Sequence, residues 1–260
     1  MTDKTSLRHD AGMIDQPREV DLAAAAALFG DPARAAMLTA LCDGHALPAG
    51  DLARRAGVAP ATATAHLRRL VQGGLVRVRV QGRHRYHELS GPHVASVLEA
   101  LAHVAPEVPL RSLRQHRDAT VMAEARTCYD HLAGRRGVEL RDRLLATRAL
   151  HSTDDQDHDL TAHGERLVAA LEIDFDQLRS SRRIFARACL DWTQRRPHLA
   201  GALPAAITST FLARGWLERG SGRGLRVAPH YDQQLDRWLT AAAGKAAFRG
   251  PHNSPPWPSR

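Results

Sequence analysis

The stretch PATATAHLRRLVQ, residues 60–72, carries basic, hydroxyl and amide side chains at helical spacing. At about 100° per residue, Ala63, Leu67, Leu70 and Val71 share one apolar face, which is expected to pack inward with Leu75. The candidate DNA-contacting residues of this helix are Thr62, Thr64, Ala65, His66, Arg68, Arg69 and Gln72. Because arginine binds guanine edges in bidentate fashion or neutralises phosphate, the pattern predicts a helix that enters a major groove.

A second basic cluster follows at the sequence Gly82-Arg83-His84-Arg85. The preceding run LVRVRV alternates apolar and basic residues with the period of a strand, and RYHEL is the expected partner strand. Arg83, His84 and Arg85 are therefore expected at the tip of a hairpin that reaches phosphates or the minor groove. The alternative for both clusters is a solvated basic surface without a ligand.

The flanking sequence predicts the helices that would position these two clusters. EVDLAAAAALF predicts a first helix, and Asp31 is expected to cap a second helix over residues 33–42, with Pro32 at its start. LPAGDLARRAGV predicts a short third helix that ends at Gly57, directly before the arginine-bearing fourth helix. A fifth helix is expected over residues 92–105. This order of helices and hairpin is that of a winged helix-turn-helix.

One set of residues in this region is specific enough to indicate a family. The set comprises Asp31-Pro32-Ala33-Arg34, Leu52-Ala53, His66-Leu67, Leu70, Gly74-Leu75-Val76, Gly82-Arg83 and Tyr86. On the basis of this set, residues 20–105 resemble the ArsR/SmtB family of bacterial transcriptional repressors. The resemblance implies a homodimer whose first and fifth helices form the interface. It also implies an operator of double-stranded DNA with two half-sites, and a repressor released from that DNA by a small-molecule inducer.

Two departures from that family concern its metal sites. Where metal sensors of the family often carry two cysteines, this chain has the sequence DLARRAG. His93 and His103 lie on the predicted fifth helix, but a spacing of ten residues turns a helix by roughly 280°, so they do not share a face. They are expected to be two surface histidines, and a zinc site across a dimer is the alternative.

The second half of the chain contains a weak internal repeat. ARTCYDH at residues 125–131 matches ARACLDW at residues 186–192. Each copy is followed by a leucine-rich helix, a turn, a strand-like piece and a last helix. The repeat predicts two winged-helix-like units, or one split unit, in a helical sensor or dimer domain. The same pattern resembles a long subgroup of ArsR-like regulators with a C-terminal extension.

Both repeated segments are interpreted as helices, on which residues three apart share a face. On that interpretation Arg126 and Asp130, and likewise Arg187 and Asp191, form helical ion pairs. The possible sensor residues are Cys128, His131, Cys189, Trp192 and His198.

Four roles remain open for the sensor cysteines. They could pack as small apolar residues, sense oxidants or electrophiles as thiols, bind a soft metal such as Zn(II) or an arsenical together with a histidine, or line an organic pocket. Cys42 is expected to pack in the core of the first half. An aromatic cleft between the halves is a further candidate sensor, lined by Trp192, Trp216, Phe185 and Phe211.

Composition narrows the function further. The chain has 260 residues, a formal net charge of +8 and a pI of about 10.3, which favours an anionic partner, nucleic acid before membrane. It has no P-loop, no GxSxG, no HExxH and no GxGxxG that opens a strand–helix unit. We therefore expect no enzyme and no catalytic residue, and we assign no cofactor and no committed metal ligand. An architectural, non-specific DNA-binding protein is the alternative class.

The expected fold is mainly α with small β-wings. Residues 18–105 form the winged helix-turn-helix and residues 106–243 the helical C-terminal domain, whereas residues 1–17 and 244–260 are expected to be disordered. The chain lacks an apolar run of about 18 residues and an apolar signal segment, so no membrane partner and a cytoplasmic location are expected. There, the three cysteines would be reduced thiols.

Overall fold

The computed structural model describes residues 19–154 and 156–241. The two segments expected to be disordered, residues 1–17 and 244–260, lie outside the described residues. Two hydrophobic clusters organise the described chain, one built from residues between Met37 and Ala95 and the other from residues between Ala125 and Leu239. We call the chain up to residue 104 the N-terminal part and the chain from residue 113 the C-terminal part. The exact domain division stays a prediction.

The N-terminal part has the predicted order of helices and hairpin. The elements are α1 (Leu22–Phe29), α2 (Pro32–Leu41), β1 (Leu47–Pro48), α3 (Ala49–Ala56), α4 (Pro60–Gln72), β2 (Val76–Gln81), β3 (His84–Leu89) and α5 (Pro92–Val104). The strand β1 is the element that the sequence analysis missed. Its two residues pair with β3, which gives a three-stranded antiparallel sheet in the order β1-β3-β2.

Local signals account for the helix boundaries in this part. The Asp31 side chain accepts a hydrogen bond from the Arg34 backbone N–H and caps α2. Gly57 adopts a left-handed conformation with φ of 66° and ends α3, so that α4 can begin three residues later. Ala63, Leu67 and Leu70 are buried as predicted. Val71, predicted on the same inward face, is instead 36% exposed, because it lies at the edge of that face.

The C-terminal part repeats one order of elements twice. After α6 (Leu113–Glu124), the first copy comprises β4 (Arg126–Cys128), β5 (His131–Ala133), α7 (Arg135–Ala146), β6 (Leu150–Ser152), β7 (His158–Leu160) and α8 (Ala162–Ala170). The helix α9 (Phe175–Ser180) connects the copies. The second copy comprises β8 (Arg187–Leu190), β9 (Pro197–Ala200), α10 (Ala202–Ala213), β10 (Leu217–Arg219), β11 (Leu225–Val227) and α11 (Tyr231–Ala241). Each copy thus reads hairpin, helix, hairpin, helix.

The segments ARTCYDH and ARACLDW each form the first strand of a hairpin and the start of its turn, so their interpretation as helices is wrong. In the first, Cys128 pairs with His131 across the two-residue turn Tyr129-Asp130, with Tyr129 at φ of 63°. Residues three apart are neighbours on a helix and also across a two-residue turn, so this spacing does not distinguish a helix from a hairpin. The predicted helical ion pairs are absent for the same reason. Asp130 pairs with Arg183 at 2.7 Å, and Arg187 with Asp157 at 2.8 Å.

The aromatic residues proposed to line a cleft are mostly core residues. Phe211 is fully buried and packs against Trp216, Tyr231 and Trp238, with ring centroids 4.7 to 6.0 Å apart. The Trp238 indole N–H is satisfied by the Leu167 carbonyl at 2.7 Å. These rings therefore stabilise the C-terminal part.

A buried ion-pair network joins the two parts of the chain. Arg126 on β4 is 0% exposed and lies between Glu99 on α5, at 2.7 Å, and Asp191 after β8, at 3.0 Å. Glu99 is 3% exposed and also contacts Arg223, at 2.6 Å. In addition, the Tyr129 backbone N–H donates to the Cys42 carbonyl at 2.7 Å. The N-terminal and C-terminal parts are therefore fixed to each other through α5 and the tip of the first hairpin.

Replacing Glu99 with glutamine is expected to destabilise the protein strongly. Glutamine keeps the size of the side chain but removes the negative charge between two largely buried arginines, which costs about 3 kcal/mol of unfolding free energy. Urea unfolding followed by circular dichroism measures this change. The matched control is Glu88→Gln, because Glu88 pairs with the 59% exposed Arg77, and loss of such a pair costs below about 1 kcal/mol. Equal effects of the two substitutions would contradict the role of Glu99 as the link between the parts.

Candidate nucleic-acid interface and a buried cysteine-histidine cluster

The outer face of α4 carries the candidate DNA-contacting side chains. Six of the seven predicted residues on this helix are exposed, namely Thr62, Thr64, Ala65, Arg68, Arg69 and Gln72. The Thr64 hydroxyl donates to the Pro60 carbonyl at 2.9 Å, which holds it against the first turn of the helix. The remaining donors face solvent, as a helix that reads a groove requires.

His66 lies apart from this face. Its side chain is 16% exposed, and its Nδ1 lies 3.6 Å from Asp31 and 3.4 Å from Arg34. Arg34 also donates to the carbonyls of Ala27 and Leu28 at the end of α1. The backbone hydrogen bond from Arg34, together with its charge, lowers the pKa of Asp31. His66 therefore helps to hold α4 against α1 and α2, and we leave it out of the proposed DNA-contacting residues.

The predicted basic tip lies on the hairpin between β2 and β3. Gln81 pairs with His84, so Gly82 and Arg83 form the turn, with Gly82 at φ of 58°. Arg83, His84 and Arg85 are all exposed. A surface groove connects this hairpin to α4, and it is lined in part by Thr64, Arg68, Gln72, Arg85 and His87. The two basic clusters thus lie side by side.

The arginines of these clusters have no ion pair with any described residue. Within residues 19–154 and 156–241, none of Arg68, Arg69, Arg83 and Arg85 has a carboxylate within salt-bridge distance. In the C-terminal part, by contrast, Arg136 contacts three acidic side chains. Unpaired cations on one side of a domain produce a positive potential that attracts a polyanion.

Four of the five possible sensor residues meet at one point of the C-terminal part. The candidate ligand atoms of Cys128, His131, Cys189 and His198 all lie within 4.8 Å of one another. Trp192 is not part of this group, because its ring lies against the Arg126 guanidinium at 5.3 Å. The repeat in the sequence matched His131 to Trp192, but in the structure His131 corresponds to His198. The turn between β8 and β9 is longer than the turn between β4 and β5, and this length difference concealed the match.

The surroundings of Cys128 suppress its thiolate form. A hydrogen bond with Cys189 and burial both raise the pKa of Cys128. Burial opposes the charge of His131, but Cys128 and Asp130 outweigh it and raise the His131 pKa to about 9. Burial lowers the pKa of His198. Oxidant-sensing cysteines have low pKa values and accessible sulfurs, so these features do not favour a redox sensor at Cys128.

The described helices contain no membrane span, since within residues 19–154 and 156–241 every helix is too short or too polar to cross a bilayer. A family model described as a helix-turn-helix domain matches residues 29–79. This match covers α2, α3, α4 and most of β2, which includes the exposed arginines of α4.

Comparison with known proteins gives relatives that are also described as transcriptional regulators or sensors. The chain is 39% identical over 199 residues to the uncharacterized HTH-type transcriptional regulator YdfF of Bacillus subtilis, covering 76% of this chain and 88% of YdfF. Among solved structures, the cadmium metal-sensor CMTR from Mycobacterium tuberculosis is 32% identical, with 36% of this chain and all of CMTR covered and a TM-score of 0.29.

The transcriptional repressor BigR from Xylella fastidiosa is 21% identical, with 33% of this chain and 87% of BigR covered and a TM-score of 0.31. With the extended match to YdfF and the winged arrangement of α2 to β3, the chain belongs to the HTH-type transcriptional regulators, which bind DNA.

Proposed function

We propose that this regulator is a sequence-specific repressor of the ArsR/SmtB type that binds a palindromic operator as a homodimer and is released by a ligand. The observation that carries the proposal is the juxtaposition of exposed arginines on α4 and on the β2–β3 hairpin, which lack an acidic partner among the described residues. Arg68 and Arg69 would read or neutralise the major groove, and Arg83 and Arg85 would contact phosphates beside it. Because the proposed partner is double-stranded operator DNA, the proposed site of action is the cytoplasm.

Apolar surface on α1 and α5 supports the homodimer. Residues 22–27 of α1 are all apolar and all exposed. On α5, Val97, Leu101 and Val104 are 43%, 42% and 78% exposed. Exposed apolar side chains on two helices suit a surface that becomes buried between two copies of the chain. A dimer that reads two half-sites must hold its two α4 helices about 34 Å apart, one turn of B-form DNA.

The contacts of α5 support control of DNA binding by the C-terminal part. One side of α5 packs into the N-terminal core through Val94 and Ala95, a second side presents Glu99 to Arg126 and Arg223, and the exposed side is the proposed dimer surface. A ligand that rearranges the C-terminal part would therefore change the position of the dimer helix.

Replacing both Arg68 and Arg69 with alanine is expected to abolish operator preference while leaving the fold intact, because both side chains are exposed and unpaired. The probe is a duplex that the wild-type protein enriches from a random pool, measured by fluorescence anisotropy with and without unrelated competitor DNA. The expected loss is about 1–3 kcal/mol for each base-contacting arginine.

The matched control for this experiment is the double variant Arg166→Ala/Arg237→Ala. It removes the same charge from the exposed surfaces of α8 and α11, far along the chain from α4, and should keep the operator preference. If the Arg68/Arg69 variant binds the selected duplex as tightly as the wild type does, α4 is not the reading helix. If the wild type itself shows no preference over competitor DNA, the protein is an architectural DNA-binding protein instead.

Replacing Arg83 and Arg85 with alanine is expected to weaken binding to all sequences alike. Each phosphate contact contributes roughly 0.9 to the slope of log affinity against log salt concentration, so the slope should become shallower by up to about 2. Titrations of selected and unrelated duplexes at several salt concentrations measure the slope. An unchanged slope would show that the hairpin does not touch phosphate.

A further inference from the structure

The cysteine-histidine cluster of the C-terminal part is assembled from two equivalent hairpins. In each hairpin the first strand provides a cysteine and the second strand provides the histidine directly opposite, as Cys128 with His131 and Cys189 with His198. Side chains of directly opposed residues lie on the same face of a hairpin, with Cβ atoms about 5 Å apart. The strands β5 and β9 pack against each other. Two cysteine–histidine pairs therefore converge from opposite sides, although the two cysteines are 61 residues apart in the sequence.

The dimensions of the cluster match a four-coordinate metal site. The four ligand atoms lie within 4.8 Å of one another. With zinc–sulfur bonds of about 2.3 Å and zinc–nitrogen bonds of about 2.0 Å, a tetrahedral site has edges of roughly 3.3 to 3.8 Å. An inward shift of about 1 Å or less, within the reach of side-chain rotation, would bring the atoms to these distances. The imidazole rings already lie together, with centroids 5.2 Å apart.

Each histidine has a carboxylate beside its Nδ1 atom. The distance is 3.4 Å from His131 to Asp130 and 3.5 Å from His198 to Asp191. A carboxylate hydrogen-bonded to Nδ1 orients a metal-bound histidine and leaves Nε2 as the ligand atom. Asp130 makes this hydrogen bond with His131, whereas Asp191 lies near Nδ1 of His198 without a hydrogen bond. Both Nε2 atoms are buried and lack a hydrogen-bond partner among the described residues. Because an unsatisfied buried polar atom is costly, packing alone does not explain two such histidines facing two cysteines.

We propose that Cys128, His131, Cys189 and His198 form a closed tetrahedral site for a thiophilic divalent cation of the Zn²⁺ class. Two sulfur and two imidazole ligands in this geometry select such an ion over Mg²⁺ or Ca²⁺. On binding, both thiol protons and any proton held on a ligating Nε2 atom leave to solvent, and two metal–sulfur and two metal–nitrogen bonds form. Cys189 is only partly buried and gives the ion a route from solvent, whereas the other three ligands are buried.

The site would act as a clasp between the two copies of the repeat. Each hairpin has few residues of its own, and the four ligands lie where β5 meets β9, so the ion would join the copies at their contact. This inference does not depend on the proposed function, because it concerns the C-terminal part and its readout is metal content.

The test uses the full chain, purified under reducing conditions. Metal is removed with a chelator, the protein is titrated with Zn²⁺ or Co²⁺, and bound metal is measured by mass spectrometry. The expected result is one Zn²⁺ for each chain, together with a Co²⁺ spectrum that shows thiolate-to-metal charge transfer and tetrahedral d–d bands. Wild-type protein without stoichiometric metal would overturn the proposal, and so would a Cys128–Cys189 disulfide that forms in place of metal uptake.

Variants separate the four ligands from other cysteines. Cys128→Ser and Cys189→Ser are expected to lose stoichiometric binding and the charge-transfer band. Cys42→Ser, a buried cysteine of the N-terminal core, should retain both. Asp130→Asn keeps all four ligands and should weaken zinc binding by about 10- to 100-fold, which also provides a test should a ligand variant fail to fold. Equal metal content in Cys42→Ser and Cys128→Ser proteins would contradict the assignment.

Discussion

A single fully buried guanidinium connects the halves of this protein. Arg126, from the first repeat, is enclosed by Glu99 from the N-terminal part and by Asp191 from the second repeat, so one side chain joins three separate regions of the chain. A buried arginine with only one partner would be strongly unfavourable, so these three regions must be present together for any of them to be stable in this arrangement. Asp191 contributes further order, because it also accepts hydrogen bonds from the backbone N–H groups of Gly134, Thr193 and Gln194.

The N-terminal part was predictable from sequence because its determinants are local. Asp31 caps α2, which begins at the next residue, Gly57 ends α3, and the alternation of valine and arginine marks β2. Each signal acts over a few residues. The exceptions depend on long-range contacts. The strand β1 forms only because β3 is available to pair with it. His66 points inward because its ring contacts Asp31 and Arg34.

The C-terminal part was less predictable because its structure depends on pairing between distant segments. The spacing of Cys128 and His131 fits a helix and a tight hairpin equally well, and only the tertiary contacts decide. The four possible sensor residues that meet were all identified from sequence, but their arrangement was not. In the aligned repeats Trp192 stands where the first copy has His131, whereas the longer turn of the second hairpin makes His198 the structural equivalent of His131. Arg126 was assigned to a partner four residues away, whereas its partners are 27 and 65 residues away.

The ion-pair network around Arg126 lies next to the cysteine-histidine cluster in the chain and couples the cluster to α5. Arg126 lies two residues before Cys128, and Asp191 two residues after Cys189, so short stretches of backbone join the network to two of the proposed ligands. At about 3.3 Å for each residue of a strand, this separation is roughly 7 Å. The hairpins therefore cannot move relative to each other without changing the geometry around Arg126, and Arg126 contacts α5 directly. Linkage between sites is reciprocal. An ion that favours one arrangement of the hairpins therefore favours the corresponding position of α5, and a contact that stabilises this position of α5 favours binding of the ion. An operator duplex bound by α4 of two copies would exert that influence through the proposed dimer surface on the opposite side of α5.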